Sequence, residues 1–414
     1  MEEKKAKLIP NINKEKVKKK TDELKFNFLE VVILIFVTAL VCVTVNITIN
    51  KMKTNDNLTI DQNQDIEKFI SEYNFVLDKY YGQVTSEELI NNAIAGMVNG
   101  LSDPYSSFID NETAVNFDVD LDGEFYGLGV EITINANSQV EVYSVIEGAG
   151  AEAAGLLKGD IITHMDGELV TGLTATEFRA KMIANNKETV SLTVIRGEET
   201  KEFIVKRQLV EIPSVSSEIF ESGVAKVGYL KIDIFANNTY KQFKEELTKL
   251  ESQNIDSLIV DVRSNTGGHL SVVTEVISEF LDSTHVIYQV KDSEKIVKEY
   301  STGNKTKEYE ILVLIDSASA SASELLASAL KEQCGAKLVG TKSFGKSTVQ
   351  QVIDLGNGSK YKITIKEWLT SEGNVINGKG LEPDVEVLLS EEYFADPKNE
   401  TDNQLQAAIS LLKK

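Results

Sequence analysis

The chain has 414 residues, with 43 Lys+Arg against 64 Asp+Glu for a formal net charge of −21, 42% apolar residues, two cysteines and three histidines. That apolar share buries real cores and excludes wholesale disorder. The acidic balance excludes a basic face for nucleic acid, and so few Cys and His exclude a disulfide scaffold and a Cys/His metal cluster.

The charge is uneven. Residues 1–25 carry nine Lys and five acidic residues, a basic tail of +4 that leaves −25 on the rest. Val31–Val45 follows as fifteen uncharged residues, and the stretch Phe28–Ile49 makes 22, enough at about 1.5 Å per residue to cross a core of roughly 30 Å. With lysines before it and little positive charge after it, the positive-inside rule predicts a cytoplasmic tail over 1–25 and an uncleaved transmembrane signal anchor over 26–49. The bulk then lies outside a bacterial cell membrane, which the chain crosses once. A cleaved signal peptide is the alternative, but no A-x-A-like site follows Val45.

Residues 50–112 read as a polar stalk and two helices, the second capped by Ser86 and stopped at Asp103-Pro104. Residues 113–208 read as a β-rich unit, with alternating strands VEITI and QVEVYSVI, a short helix, a Gly-Asp turn, a helix over Thr174–Ala184 and a closing hairpin. Over 209–392, short apolar strands alternate with helices, which predicts a mixed α/β layer architecture. Residues 393–414 end in a short helix over Gln404–Leu412.

Two segments of the α/β part can carry chemistry. Asp316–Glu324 follows an apolar strand and opens a helix, so a serine there stands beside backbone N–H groups at a positive dipole end; Ser323 and Glu324 read as the cap and first turn. The same run also reads as a plain N-cap with tight packing. No histidine is placed to serve a serine, which leaves a lysine whose burial lowers its pKa. Lys346 lies beside Phe344, Gly345 and Val349, and Gln350 is four residues on, on the same side of an extended strand. The ordinary reading of a lone lysine is a solvated charge. GTKSFGKS also matches a phosphate-loop pattern, but STVQQVI after it reads as strand where that motif needs a helix.

The order of several motifs resembles the C-terminal processing peptidases, or tail-specific proteases, across roughly residues 65–412. These are Asp103-Pro104-Tyr105-Ser106, Gly127–Val130, GAGAEAAGLLKGDIITHMDG, Gly228-Tyr229-Leu230, Asp261–Gly268, SASASE, FGKSTVQ and Gly378–Asp384. The resemblance implies a ClpP/crotonase-like α/β protease domain over 209–392 with a PDZ-like domain inserted over 113–208. It implies Ser321 as nucleophile, Lys346 as general base and Gln350 as the group orienting the amine. An oxyanion hole would come from Ala322 with Gly267 or Gly268, while Asp261 and Arg263 form a buried structural pair. Leu128, Gly129 and Val130 would hold a substrate's C-terminal carboxylate, with the peptide added as a strand. Protein or peptide substrates with exposed C-termini are thus expected, with no cofactor or metal, and the helical segments 65–101 and 400–412 would pair in a homodimer. Two departures stand out: Met182–Lys187 replaces an I-R-G-x-x-G stretch, removing an arginine tied to gating, and Asn265-Thr266-Gly267-Gly268 replaces N-P-G-G. An inactive PDZ scaffold is the alternative, and a CoA-type hydratase lacks its basic residues.

Overall fold

The computed structural model describes residues 60–184, 187–222, 225–292, 295–304 and 307–412. The chain divides into two compact units, residues 1–90 and 91–414. The first holds α1 (Ile60–Lys79) and the start of α2 (Ser86–Asn99). The cap of α2 is Thr85 rather than Ser86. The Thr85 N–H donates to Glu88 Oε2 at 2.7 Å and the Glu88 N–H donates to Thr85 Oγ1 at 3.1 Å, a reciprocal capping box.

The second unit begins with β1 (Ser107–Ile109), α3 (Asn111–Asp122) and β2 (Glu124–Gly127). Next come β3 (Val130–Ile134), β4 (Val140–Val145), α4 (Gly150–Ala154), β5 (Ile161–Met165), β6 (Glu168–Leu169), α5 (Ala175–Ala184), β7 (Thr189–Arg196), β8 (Glu199–Lys206) and β9 (Gln208–Glu211). The chain continues through β10 (Val215–Ser222), β11 (Ala225–Ile232), α6 (Thr239–Ser252), β12 (Ser257–Asp261), α7 (Leu270–Ser278), β13 (Val286–Asp292), β14 (Lys295–Tyr300) and β15 (Glu310–Ile315). It closes with α8 (Ala322–Cys334), β16 (Lys337–Gly340), β17 (Thr348–Asp354), β18 (Lys360–Thr370), β19 (Val385–Glu386), α9 (Glu391–Ala395) and α10 (Asn403–Leu411).

Helix α3 is absent from the sequence reading, which runs β-rich from about 113. It forms because Asp110 caps it, with Oδ1 accepting the Thr113 N–H at 2.7 Å, and it stops at Gly123, whose φ of 71° is left-handed.

The central sheet runs β10-β11-β12-β15-β16-β19, parallel except for the β10–β11 pair. Every residue of β12 is buried, as expected of a parallel strand covered on both faces. On one face, Leu258, Val260 and Val313 pack with Phe243, Val276 and Leu325 of α6, α7 and α8. On the other, Ile259, Leu312 and Leu314 meet Leu405, Ala408 and Ile409 of α10. Strand β18 builds a second, antiparallel sheet with β17 along one edge and β1 and β13 along the other. The β-rich domain is the sheet β3-β4-β5-β7-β8 around its own core of Val142, Ile162, Leu192 and Val205. The two-stranded ribbon β2–β9 carries both chain crossings between this domain and the α/β core.

The expected fold class needs one correction. Among the described residues no helix is long and apolar enough to cross a membrane, so a single transmembrane helix forms no part of the observed fold, which is a mixed α/β core with a β-rich domain. The segment 26–49 expected to form that helix lies outside the described residues.

Asp261 and Arg263 form the expected buried pair within a larger network. Arg263 Nη2 lies 2.6 Å from Asp261 and 2.7 Å from Asp402, the cap of α10, and Tyr229 Oη donates to Asp261 at 2.7 Å. Arg263→Met strands two buried carboxylates and should cost about 3–5 kcal/mol. Urea unfolding measures this, and a loss under about 1 kcal/mol would show the network to be dispensable.

Candidate active site

A cleft of about 870 Å³ brings Ser321, Lys346 and Gln350 to one space, with Gly267, Gly268 and Ala322 on its wall. Three elements build it: the turn from β15 into α8, the loop after β12, and the segment entering β17.

The serine run is sorted by hydrogen bonding. Ser319 Oγ donates to Val262 O and Ser323 Oγ to Asn265 O, each at 2.8 Å, so both hydroxyls hold the loop together. Ser321 is the one that lines the cleft. It takes the cap position before Ala322, which corrects the reading of Ser323 as cap. Its backbone sits at φ 55°, ψ −113°, a conformation costing on the order of 1–3 kcal/mol in a non-glycine residue and held only where the surroundings enforce it.

The enforcing group is Glu324, fully buried. Its Oε2 accepts the backbone N–H of Ser321 at 2.9 Å and of Lys346 at 2.8 Å, while Oε1 accepts Gly345 N–H and Ser343 Oγ–H, both at 2.6 Å. One carboxylate therefore clamps the serine turn to the lysine turn. Burial pushes its pKa up, against the pull of Ser343, Lys346, Gly345 and Ser321. The sequence reading missed this role. The available signal was an acidic residue in a helix turn that the fold covers entirely.

Burial pushes the Lys346 ammonium below the ordinary lysine value and the Lys362 charge adds to this, against Asp103 and Glu324. The expected desolvation is thus present, but Phe344, half exposed at 53%, does not provide it; the Tyr105 ring lies 5.0 Å from Nζ instead. Gln350 Nε2 donates to Thr348 Oγ1 at 2.8 Å and Thr364 Oγ1 at 3.2 Å rather than meeting the amine. A bulge between Val349 and Gln350 breaks the simple strand alternation. The segment after GTKSFGKS is strand β17, not the helix a phosphate loop requires.

Gly267 packs directly on the serine turn. A Cβ there would stand 2.9 Å from Ser321 Cβ and 3.0 Å from Ala320 O, and its φ is 110°, so only glycine fits. Its N–H donates to Asn265 Oδ1 at 2.9 Å. The N–H groups of Gly268 and Ala322 have no protein partner among the described residues. Two backbone donors, a serine and a half-buried amine of lowered pKa are residue types that acyl transfer can use as oxyanion donors, nucleophile and base.

Away from the cleft, Leu128 and Gly129 form the loop into β3, where Val130 begins, with Gly129 at φ 81° against Ala149. Strand β3 is the edge of its sheet, and α5 packs beside it.

Comparison with known proteins agrees with this layout. Residues 226–387 match the model of peptidase family S41, residues 127–206 that of a PDZ domain, and residues 36–113 that of the activating protease CtpB N-terminal domain. The chain is 34% identical over 340 residues to the carboxy-terminal processing protease CtpB of Bacillus subtilis (strain 168), covering 81% of this chain and 71% of that protein. It is 33% identical over 367 residues to the probable CtpA-like serine protease of Staphylococcus aureus (strain COL), covering 88% and 73%. Among solved structures, the photosystem II D1 C-terminal processing protease matches at 26% identity and a TM-score of 0.44, over 76% of this chain and 86% of that one.

Proposed function

The chain belongs to peptidase family S41 as a serine C-terminal processing protease with a PDZ domain, and from that premise we propose that it cuts protein tails with a Ser321/Lys346 dyad. The observation that carries this reading is the shared cleft, where a serine in an enforced backbone conformation and a lysine whose amine has a lowered pKa are joined through their backbone N–H groups by one carboxylate.

In the proposed reaction, neutral Lys346 takes the Ser321 proton as Oγ attacks the scissile carbonyl carbon. The carbonyl π pair moves to oxygen, and the Gly268 and Ala322 N–H groups receive that oxyanion. Gly267 keeps the loop close enough for this, but its own N–H is committed to Asn265. The Lys346 ammonium then gives the proton to the leaving nitrogen as the C–N bond breaks. Water repeats the sequence to release the acyl group, with the same amine as base. Gln350 acts through Thr348 and Thr364, fixing the start of β17 and the wall beside the amine.

The PDZ domain selects the tail. A peptide added along the free edge of β3 runs beside α5, and its terminal carboxylate meets the Leu128–Val130 backbone. An unfolded reporter chain with a free C-terminus should be cut at least about tenfold faster than the same chain amidated. Gly129→Val, placing a side chain against Ala149 at a left-handed position, should erase that preference while leaving a short peptide ester turning over. Equal rates for free and amidated chains would remove the tail-capture role. Binding with no cleavage by the wild-type protein would leave only a scaffold.

A further inference from the structure

We propose that Tyr105 is a positioning residue for the reaction: the face of its ring holds the Lys346 amine in place and stabilises the charge that amine gains when it takes the serine proton. The inference rests on the Ser321/Lys346 reading above.

Tyr105 belongs to the Asp103–Ser106 turn, which the sequence marks and the proposed chemistry leaves without a role. The turn is rigidly built. Asp103 Oδ1 accepts the Tyr105 N–H at 3.1 Å and Oδ2 accepts Ser106 Oγ–H at 2.6 Å, while Ser106 Oγ accepts the Thr364 N–H of β18 at 3.0 Å. Thr364 also receives Gln350 Nε2. The turn, β18 and Gln350 therefore form one hydrogen-bonded wall, with the Tyr105 ring 5.0 Å from Lys346 Nζ. The ring faces the lysine amine, and it is through that amine that Tyr105 acts on the reaction.

A lysine base has two conflicting needs. It must be neutral before attack and cationic once the proton has moved. A carboxylate in contact would hold it charged throughout, and among the described residues none forms an ion pair with Nζ. The charged groups facing the amine are Lys362 from β18, Asp103 from the turn and Glu324 from α8. The first opposes the ammonium and the other two favour it. Asp103 is engaged by Ser106 and Tyr105, and Glu324 by four other donors. An aromatic face attracts an ammonium more weakly than a carboxylate does, so it favours the transient cation without fixing the resting state. Burial raises the Tyr105 hydroxyl pKa, with Glu324 and Asp103 adding to it, which keeps the ring neutral while it does so.

The test is kcat/KM against pH on an unfolded reporter chain, for the purified enzyme and its variants. Tyr105→Phe keeps the ring and should leave both rate and ascending limb unchanged. Tyr105→Leu should lower the plateau kcat at least about tenfold and move the limb to lower pH by about 0.5–1 unit, a factor of about 3–10 in protonation of the amine. A fluorinated phenylalanine at this position keeps the shape and removes the negative face. It should move the limb the same way, and it stands in if the leucine variant does not fold. A limb that stays in place in the fluorinated or leucine variant, with or without a loss of rate, overturns the proposal. Activity retained by Lys346→Ala would instead overturn the dyad beneath it.

Discussion

Replacing Ser321 by alanine should abolish cleavage of an unfolded substrate, lowering kcat by on the order of 10⁶-fold, and Lys346→Ala should match it because the pair acts as a unit. Neither variant should unfold. The clamp on this region runs through backbone N–H groups of Ser321 and Lys346, which alanine retains, so thermal unfolding should lie close to wild type. Single-turnover cleavage with purified protein decides the matter, and Ser321→Ala activity within about tenfold of wild type would sink the dyad. The wild-type pH profile carries the same prediction. Burial and Lys362 lower the Lys346 pKa and the base works only when neutral, so kcat/KM should rise with pH through a limb well below the ordinary lysine value of about 10.4. Through this group the stability of the fold also rises with pH. Between the lowered value and about 10.4 the unfolded chain binds the extra proton, so this group's contribution is complete above that window and is lost as pH falls through the lowered value.

Removing the Glu324 carboxylate should have the second largest effect, and a different one. Glu324→Ala leaves two turns without the acceptor that joins them, stranding the Ser321, Gly345 and Lys346 N–H groups and the Ser343 hydroxyl inside the fold. One lost bond to a charged group costs about 1.5–3 kcal/mol, so a total destabilisation of at least about 3 kcal/mol is expected in denaturant unfolding. Glu324→Gln separates stability from alignment. The amide keeps the volume but sets an NH₂ against two of the four donors, so kcat should fall by roughly 10²-fold as nucleophile and base lose register. A Glu324→Gln enzyme with wild-type kcat would show that the clamp is only structural. Burial raises this carboxyl, so its contribution to stability is present below the ordinary carboxylate value and declines as pH rises through the raised one.

Much of the architecture was legible because the relevant patterns are local. Strands such as the one holding Ile311–Ile315 are continuous apolar runs, and Tyr240–Glu251 repeats with a helical period, so type and order could be read directly. Helix α3 was not, because its acidic, weakly patterned sequence is helical through Asp110 at one end and Gly123 at the other. Thr85 and Ser86 are both good caps, and only the reciprocal bond to Glu88 chose between them.

The site divides the same way. Sequence alone determined the chemistry on offer: a serine at a strand-to-helix turn, a lysine in place of a histidine base, paired glycines after an apolar strand, and a chain too poor in Cys and His for a Cys/His metal cluster or a disulfide scaffold. Tertiary structure decided which groups meet. It gave the Gly267 N–H to Asn265 and left the Gly268 N–H without a partner among the described residues, turned Ser319 and Ser323 into the loop, tied Gln350 to threonines, joined the Ser321 and Lys346 turns through Glu324, and set Tyr105 against the Lys346 amine. The physical reason is range. Residue type and local period follow from the nearest few residues, whereas hydrogen-bond partners and desolvation depend on segments that only the folded sheets bring together.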